Sequence, residues 1–277
     1  MNAGPPILFD RHAVSLHRQR ALGMTGTAFL LEEASGGLAE RLAAVNRSFE
    51  LGLDIEGRAK LGAGAKSWTN AALEKHDALK VAPESFDLAI SALALHVVND
   101  LPGVLAQIRR ALKPDGLFLA ALFGGDTLFE LRDALATAEV ETRGGLSPRV
   151  APFADVRDLG GLLQRAGFAL PVADVERTTA LYRDFADLVR DLRLHGETNA
   201  LTDRSRKPLS RATLAAAIAY YRANHAEADG RLRATFDIIY LTGWVPHESQ
   251  QRPLKPGSAQ TRLAEALGTS EYKARLD

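Results

Sequence analysis

The residues best placed to do chemistry follow the ends of predicted strands, from which side chains can reach a bound ligand. Phe49–Ile55 alternates like a strand and contains Asp54 near its end, with Gly57 just beyond. An acid and a glycine at the point where a first parallel strand turns towards its helix suit an adenosyl or dinucleotide ligand. The alternative role for Asp54 is the N-cap of a following helix.

A second group of candidates lies around the apolar run 85–91, which is typical of a buried strand. Ser91, Ala92 and His96 come at its carboxyl end, where open parallel sheets bind their ligands. His96 is a candidate to approach a cofactor or a substrate carboxylate, and a structural histidine is the alternative. Asp77 comes before this run and is a further candidate acid, with a surface pair to the preceding histidine as the alternative.

The elements that must position these residues alternate between strand and helix. The strand at 85–91 is followed by an amphipathic helix at 101–112 and a second apolar strand at 117–123. Thr127 and Glu130 then have the spacing of a capping box for the next helix. Because both strands are apolar throughout, we predict an α/β fold with a parallel sheet covered on both faces.

The pattern of elements divides the chain into four segments. They are an N-terminal helical segment at 1–48, an α/β core at 49–182, a two-helix lid at 183–232, and a last strand with its tail at 233–277. In the first segment, Gly36 and Gly37 are expected to interrupt a helix. Periodicity leaves helix and strand open for residues 58–82. A lid over the carboxyl edge of a sheet usually sets substrate choice.

The composition excludes several classes of protein. The 277 residues include 34 basic and 34 acidic side chains, a balance that argues against a dedicated nucleic-acid-binding protein. The chain has no cysteine, so disulfides, thiolate nucleophiles and iron–sulfur clusters are excluded. No apolar run approaches the roughly 20 residues that span a bilayer, and the N-terminus does not read as a signal peptide. We therefore expect a cytoplasmic protein without a transmembrane segment.

Two histidine–carboxylate pairs are candidate metal ligands, His195 with Glu197 and His247 with Glu248. Two histidines and one carboxylate are the ligands of many non-haem iron sites. These residues lack the local spacing that such sites usually have. The sequence therefore predicts no metal site.

Three stretches carry a resemblance to a known family: SFDLAISALALHVVNDLP with LKPDGLFLAALFGGDTLFELR, GGLSPRVAPFADVRDLGGLLQRAGF, and GWVPHESQQRP. Over nearly its whole length the chain resembles the family of complex I assembly factor five. This is a class I methyltransferase-fold group, itself similar to the malonyl-carrier-protein O-methyltransferases of biotin synthesis. The resemblance implies a Rossmann-like sheet of seven mostly parallel strands with an antiparallel last strand. It also implies methyl transfer from S-adenosylmethionine and, for the mitochondrial member, hydroxylation of an arginine in a complex I subunit.

The first cofactor motif departs from that family. Where the family has Leu-Asp-Leu-Gly-Cys-Gly-x-Gly, this chain has Leu53-Asp54-Ile55-Glu56-Gly57-Arg58. The interval from Asp54 to Phe86 also looks shorter than in the family. We therefore expect the second strand, whose terminal acid would hold the cofactor ribose, to be trimmed or lost, with Asp77 as a substitute. The candidate residues for S-adenosylmethionine are Asp54, Gly57, Asp77, Ser91, Ala92 and His96.

Three functions remain open from the sequence. The first is an S-adenosylmethionine-dependent methyltransferase with a small-molecule or protein acceptor, since methyl transfer needs mainly positioning of donor and acceptor. The second is an arginine hydroxylase or assembly factor acting on a respiratory complex I subunit, for which acids in the lid would seat a guanidinium. Those acids are Glu176, Asp184, Asp187 and Asp191. The third is a scaffold that kept the fold and lost the cofactor.

Overall fold

A mixed sheet of six strands organises the computed structural model, which describes residues 7–61, 63–250, 265, 268 and 269. The strands are β1 (Phe49–Ile55), β2 (Ala65–Ala71), β3 (Phe86–Ala92), β4 (Leu112–Gly124), β5 (Ala169–Tyr182) and β6 (Leu232–Trp244). The helices are α1 (Arg11–Leu22), α2 (Phe29–Ala43), α3 (Leu101–Ala111), α4 (Phe129–Arg143), α5 (Val156–Arg165), α6 (Phe185–Leu194) and α7 (Arg211–His225). The strand order is β2-β1-β3-β4-β6-β5. The first four strands are parallel, and β6 is antiparallel to both β4 and β5, so the reversed last strand is confirmed.

The number of strands and the fate of the second strand differ from the prediction. The described residues form six strands and not seven, while β2 is present and pairs in parallel with β1 from Phe49 to Ile55. The expectation that the second strand is trimmed or lost is therefore wrong. What is missing is the helix between the two strands, because no helix forms in the described part of the connection 56–64. Parallel strands are usually joined by a crossover of a dozen or more residues that contains a helix.

The strand–helix–strand–helix unit around β3 and β4 is confirmed, including the N-cap of α3. The Asp100 carboxylate accepts from the Gly103 N–H at 2.9 Å. The predicted capping box of α4 is wrong, because both residues bond to β6 instead. Thr127 Oγ1 accepts from the Asp237 N–H at 3.0 Å, and the buried Glu130 carboxylate accepts from the Thr235 N–H at 3.1 Å.

Two hydrophobic cores lie on the two faces of the sheet, as the buried strands predict. On one face α2, α4, α6 and α7 cover the strands, and on the other face α3 and α5 do so. The expected interruption of the first of these helices is wrong, since α2 runs through Gly36 and Gly37. The ring of Tyr240 lies against Gly37, where a Cβ atom would overlap it, so the glycine allows close packing of helix on sheet.

The two helices between β5 and β6 are connected by a segment that returns to the N-terminus of the chain. Phe9 pairs with Leu201 in an isolated antiparallel bridge, and the Asp10 N–H donates to the Ala200 carbonyl at 2.8 Å. Both residue pairs lie at a small cluster of buried apolar side chains that also contains Val97. This cluster fixes the segment after α6 next to the loop after β3.

Two further observations concern the chain as a whole. Within the described residues, every helix is too short or too polar to cross a lipid bilayer. Residues 247–277 cluster as a unit separate from residues 1–246. Of this unit, a turn is described in which the Gln250 N–H donates to the His247 carbonyl at 3.2 Å.

Candidate functional site

Two neighbouring regions at the carboxyl ends of the strands are candidates for a functional site. We call the first the crevice; it lies between the ends of β1 and β3. The chain leaves β1 towards β2 on one side and returns to β3 on the other side, so the strand order reverses here. Open α/β sheets bind their ligands at such a point. The second region, which we call the pocket, lies next to it beyond the ends of β3 and β4.

Asp54 lies buried at the end of β1, on the floor of the crevice. Its Oδ2 accepts from the Ala59 N–H at 3.1 Å, while its Oδ1 finds no hydrogen-bond donor among the described residues. Burial raises the pKa of this carboxyl to about 7, although nearby backbone N–H groups act in the opposite direction. No helix follows in the described part of the connection, so Asp54 is not the helix N-cap that was its alternative role.

The turn after β1 carries a charge where the related family has its first glycine. Glu56 adopts a positive φ of 70°, and Gly57 follows with a φ of 61°. The Glu56 carboxylate lies 2.8 Å from Arg11 Nη2 and 3.2 Å from Arg18 Nη1, both on α1. Arg18 Nη2 also donates to the Leu93 carbonyl at 3.4 Å. Arg18 therefore reaches across the crevice from the end of β1 to the end of β3.

A second set of charges joins the crevice to the pocket. The Glu197 carboxylate, in the segment after α6, lies 3.2 Å from Arg58 Nη2 and 2.9 Å from His96 Nε2. Burial disfavours ionisation of Glu197, but His96, Arg58 and Arg18 together hold its pKa at about 2. Burial and the neighbouring Arg58 lower the pKa of Arg18 to about 10. We call Arg11, Arg18, Glu56, Arg58, His96 and Glu197 the crevice network.

The remaining predicted site residues have different surroundings. Asp77 is buried in a 3₁₀ turn, and its Oδ2 accepts from the backbone N–H groups of Asn99 at 2.7 Å and Asp100 at 3.1 Å. Its other oxygen lies 3.3 Å from Arg11 Nε. Ser91 and Ala92 are fully buried at the end of β3. The structure thus brings Asp54 and His96 to the edge that was predicted, but it engages Asp77 in holding the loop before α3.

The pocket is a cavity of about 170 Å³ with mostly apolar walls. Four phenylalanines line it: Phe9, Phe123, Phe153 and Phe236. His96 and Glu197 form a polar part of the wall, and the His96 ring contacts the Phe123 ring edge to face at 5.0 Å between centroids. Arg149 also lines the pocket, with its Nη2 2.6 Å from the buried Glu139 carboxylate. Residues 197–200, which follow α6, cover one side of the cavity.

The acids expected to seat a guanidinium do not line this pocket. Glu176 pairs with Arg41, and Asp187 pairs with Arg183. Asp184 caps α6, and Asp191 accepts from the Tyr182 hydroxyl at 2.5 Å. The acid that does reach the pocket is Glu197, which the sequence singled out only as a metal ligand.

The histidine–carboxylate pairs do not form a metal site. His195 uses both ring nitrogens, accepting from the Leu30 N–H at 3.0 Å and contacting the Asp191 carbonyl at 2.8 Å. His247 contacts the Ser249 hydroxyl at 2.7 Å. In the part of the chain that the structure describes, no three histidine or acidic side chains are arranged to hold a metal ion.

Arg11, Arg18 and Arg58 lie in the candidate site, and the sequence did not predict them there. Arg11 and Arg18 belong to the predicted N-terminal helical segment, for which the sequence suggested no site residue. The available signal was the replacement of family glycines by Glu56 and Arg58, since charges at these positions need partners. Those partners come from positions up to 139 residues away, which spacing along the chain does not reveal.

The family resemblance implies a site for S-adenosylmethionine, but the residues of the crevice do not fit that cofactor. The fold normally supplies a glycine turn that lets the backbone approach the ligand and a helix that begins directly after it. Here the connection after β1 has no described helix, and guanidinium groups extend across the crevice. A ribose acid is also missing, since β2 ends at Asn70 and Ala71 and both Asp77 oxygens face other groups.

Comparison with known proteins identifies relatives over most of the chain. Residues 34–120 match the family described as methyltransferase domain. A Dictyostelium discoideum protein named arginine-hydroxylase NDUFAF5, mitochondrial, is 48% identical over 195 residues, which are 70% of this chain and 44% of that protein. The chain thus spans less than half of that relative's length. The Danio rerio protein of the same name is 37% identical over 286 residues, covering 93% of this chain and 89% of that protein.

Two further similarities extend the comparison. The malonyl-[acyl-carrier protein] O-methyltransferase of Xylella fastidiosa is 40% identical over 181 residues, covering 65% of this chain and 59% of that enzyme. The solved structure of the YcgJ protein from Bacillus subtilis matches with a TM-score of 0.50 at 12% identity, covering 76% of this chain and 98% of that one.

The alignment with the Danio rerio protein extends over 286 residues although only 93% of the 277 residues here take part, so the relative has residues within the aligned span that this chain lacks. In the structure, the Rossmann-like methyltransferase fold is kept without a helix in the described part of the connection after β1. On the strength of this relative, the chain belongs to the NDUFAF5 family of class I methyltransferase-fold proteins.

Proposed function

We propose that this chain recognises an arginine side chain of a protein client in the pocket and acts as an assembly factor for respiratory complex I. The observation that carries this proposal is the composition of the pocket walls, four phenylalanine rings and the Glu197 carboxylate around about 170 Å³. A guanidinium group binds carboxylates through charge-assisted hydrogen bonds and stacks on aromatic faces. The apolar walls suit the methylene stem that carries it.

Glu197 has acceptor capacity left for such a client. Its pKa of about 2 keeps it ionised at neutral pH. A carboxylate offers roughly four lone-pair directions. In the described residues, Glu197 Oε1 accepts from Arg58 and Oε2 contacts His96. One direction on each oxygen is therefore available to a guanidinium that enters the pocket.

The names of the relatives support the same client chemistry. The proteins from Dictyostelium discoideum and Danio rerio are named arginine-hydroxylases. Their names also say mitochondrial, whereas for this chain a cytoplasmic location stays a prediction. The involvement of complex I rests on the family resemblance. The fold family suggests S-adenosylmethionine, but the crevice residues do not fit that cofactor, so methyl transfer is not part of this proposal.

The proposal is tested with overlapping peptides that cover the subunits of the peripheral arm of complex I. Binding is measured by fluorescence anisotropy, and each binding peptide is compared with versions in which arginine is replaced by lysine or alanine. We expect binding that depends on one arginine. No arginine-dependent binding would contradict the proposal.

A pair of variants places the binding in the pocket. Ala151→Trp fills the cavity that Ala151 lines, while Ala82→Trp adds the same side chain at an exposed position before β3. The first variant should weaken peptide binding at least tenfold and the second should not. Equal affinities would assign the client to another surface. Mass spectrometry of bound peptides then separates hydroxylation, methylation and unmodified binding by an added oxygen atom, an added methyl group or no change.

A further inference from the structure

We infer that the crevice is closed by the chain's own side chains, and that the crevice network takes the place of S-adenosylmethionine in this member of the family. The network shares His96 and Glu197 with the pocket, but the inference does not depend on the client proposed there.

The first step is the backbone around the turn after β1. A methyltransferase-type site needs glycines because the backbone must approach the ligand closely, and it needs the free N–H groups of a following helix. Glu56 and Arg58 stand where the family has glycines. Within residues 56–61 and 63–64, the chain passes from β1 to β2 without a helical turn. Both features of the backbone that would hold the cofactor are therefore changed.

The second step is the space between β1 and β3. Arg18 bridges it, with Nη1 on the Glu56 carboxylate and Nη2 on the Leu93 carbonyl. Its side chain is only 14% exposed, so the guanidinium lies inside the crevice and not on its rim. The sulfonium of S-adenosylmethionine carries a positive charge. A buried guanidinium in the same crevice would disfavour that charge, because like charges interact more strongly in a poorly solvated site than in water.

The third step is the balance of charges inside the crevice network. Arg11 and Arg18 face Glu56, while Arg58 and His96 face Glu197. Arg11 also lies 3.3 Å from the Asp77 carboxylate. Each carboxylate thus has basic partners within the chain. The network connects α1, the turn after β1 and the segment after α6. We infer that these ion pairs hold the three segments together without a bound cofactor.

The direct test is a titration of the whole chain with S-adenosylmethionine and S-adenosylhomocysteine. Isothermal calorimetry is combined with thermal unfolding at about 1 mM ligand, where a site with a Kd near 10 μM would raise Tm by several degrees. The malonyl-[acyl-carrier protein] O-methyltransferase of Xylella fastidiosa serves as the positive control. We expect no heat of binding and no change in Tm. Saturable binding that Asp54→Ala weakens would overturn the inference.

A second measurement tests the structural role of the network. Arg18→Met keeps the apolar stem and removes the guanidinium, and Arg110→Met makes the same change at an exposed position of α3. We expect Arg18→Met to lower Tm by several degrees and Arg110→Met to change it by less than about one degree. Equal, small effects would show that the network does not hold the crevice closed. If Arg18→Met does not fold, Glu56→Gln provides a milder change with the same expected direction.

Discussion

The crevice and the pocket lie side by side at the same edge of the sheet, yet their walls differ in composition. Guanidinium and carboxylate groups cross the crevice, whereas the pocket wall has four phenylalanine rings beside the polar groups of His96, Glu197 and Arg149. Glu197 belongs to both, with Oε1 on Arg58 and Oε2 on His96. In this chain, the edge of the sheet that is expected to bind a ligand therefore consists of two parts with different walls. One part can close while its neighbour keeps a cavity.

The largest effect on stability is expected from a substitution of Glu197, the residue that the crevice and the pocket share. Glu197→Ala leaves Arg58 and His96 without their carboxylate in a buried place, so we expect a loss of about 3–5 kcal/mol in the free energy of unfolding. Urea denaturation measures it. Glu176→Ala is the matched control, because Glu176 pairs with Arg41 at a half-exposed position and should cost at most about 1 kcal/mol. Equal losses in the two variants would contradict a buried junction at Glu197.

The next test uses pH to separate the two regions. Burial raises the pKa of Asp54 to about 7, whereas the unfolded chain has the ordinary value near 3.9. The folded state therefore holds the Asp54 proton more tightly, and the stability that this gives is lost as pH rises from about 4 to 7. Relative to Asp54→Asn, the wild-type chain should lose on the order of 4 kcal/mol between about pH 4 and pH 8, since one pKa unit corresponds to about 1.4 kcal/mol.

The measurement is urea denaturation of both proteins over that pH range. Glu197 contributes with the opposite sign, because its lowered pKa gives stability that is lost as pH falls below about 4. That contribution is common to the wild type and the variant, so it cancels in their difference. A difference that does not change with pH would mean that Asp54 is solvated in the crevice.

A smaller effect of unusual sign is expected at Ser91. Its hydroxyl is fully buried at the end of β3 and has no hydrogen-bond partner among the described residues. Ser91→Ala removes an unsatisfied polar group, so the variant should be more stable by about 0.5–1 kcal/mol in chemical denaturation. Ser85→Ala, at a partly exposed hydroxyl that donates to the Pro83 carbonyl, should be neutral or slightly destabilising. A loss of stability in Ser91→Ala would indicate a buried water molecule as its partner.

The smallest effect is expected at the ion pair outside both regions. Glu32 and Lys60 lie 3.4 Å apart with about half of each side chain exposed, at the wall of a cavity of about 490 Å³ beside α2. Glu32→Ala should change the free energy of unfolding by less than about 0.5 kcal/mol at moderate salt. Together with Glu197→Ala, it measures how much burial adds to an ion pair in this protein. A loss above about 1 kcal/mol in the free energy of unfolding would contradict the expected difference between exposed ion pairs and the buried crevice network.

The sequence predicted the parts of the fold that depend on local pattern. The strands β3 and β4 and the helix α3 follow from runs and periods within a few residues of each other. The capping box at Thr127 and Glu130 failed because β6, more than a hundred residues later, offers backbone groups that bond to both side chains. The strand β2 was missed for a different reason. Every residue of β2 is partly buried or exposed, so the strand lacks the apolar run that marks a buried strand.

The sequence predicted where the candidate site lies but not which residues form it. Asp54 and His96 were placed at the carboxyl edge because they follow strands. The partners that decide what this edge can do come from α1 and from the segment after α6, which are brought close only by the folded chain. Ion pairs between distant segments leave no periodicity in the sequence. The clearest sign of these ion pairs in the sequence was Glu56, a charged residue at a position where the family has glycine.

The position of β2 at the rim of the sheet has an evolutionary consequence. Among the described strands, β2 has a single neighbour, β1, so a strand could be lost or gained at this margin while the other strands keep their partners and register. An interior strand could not be removed in this way, because two rows of hydrogen bonds would have to form again. We therefore expect differences in chain length between proteins of this fold to fall more readily beside β1 than inside the sheet.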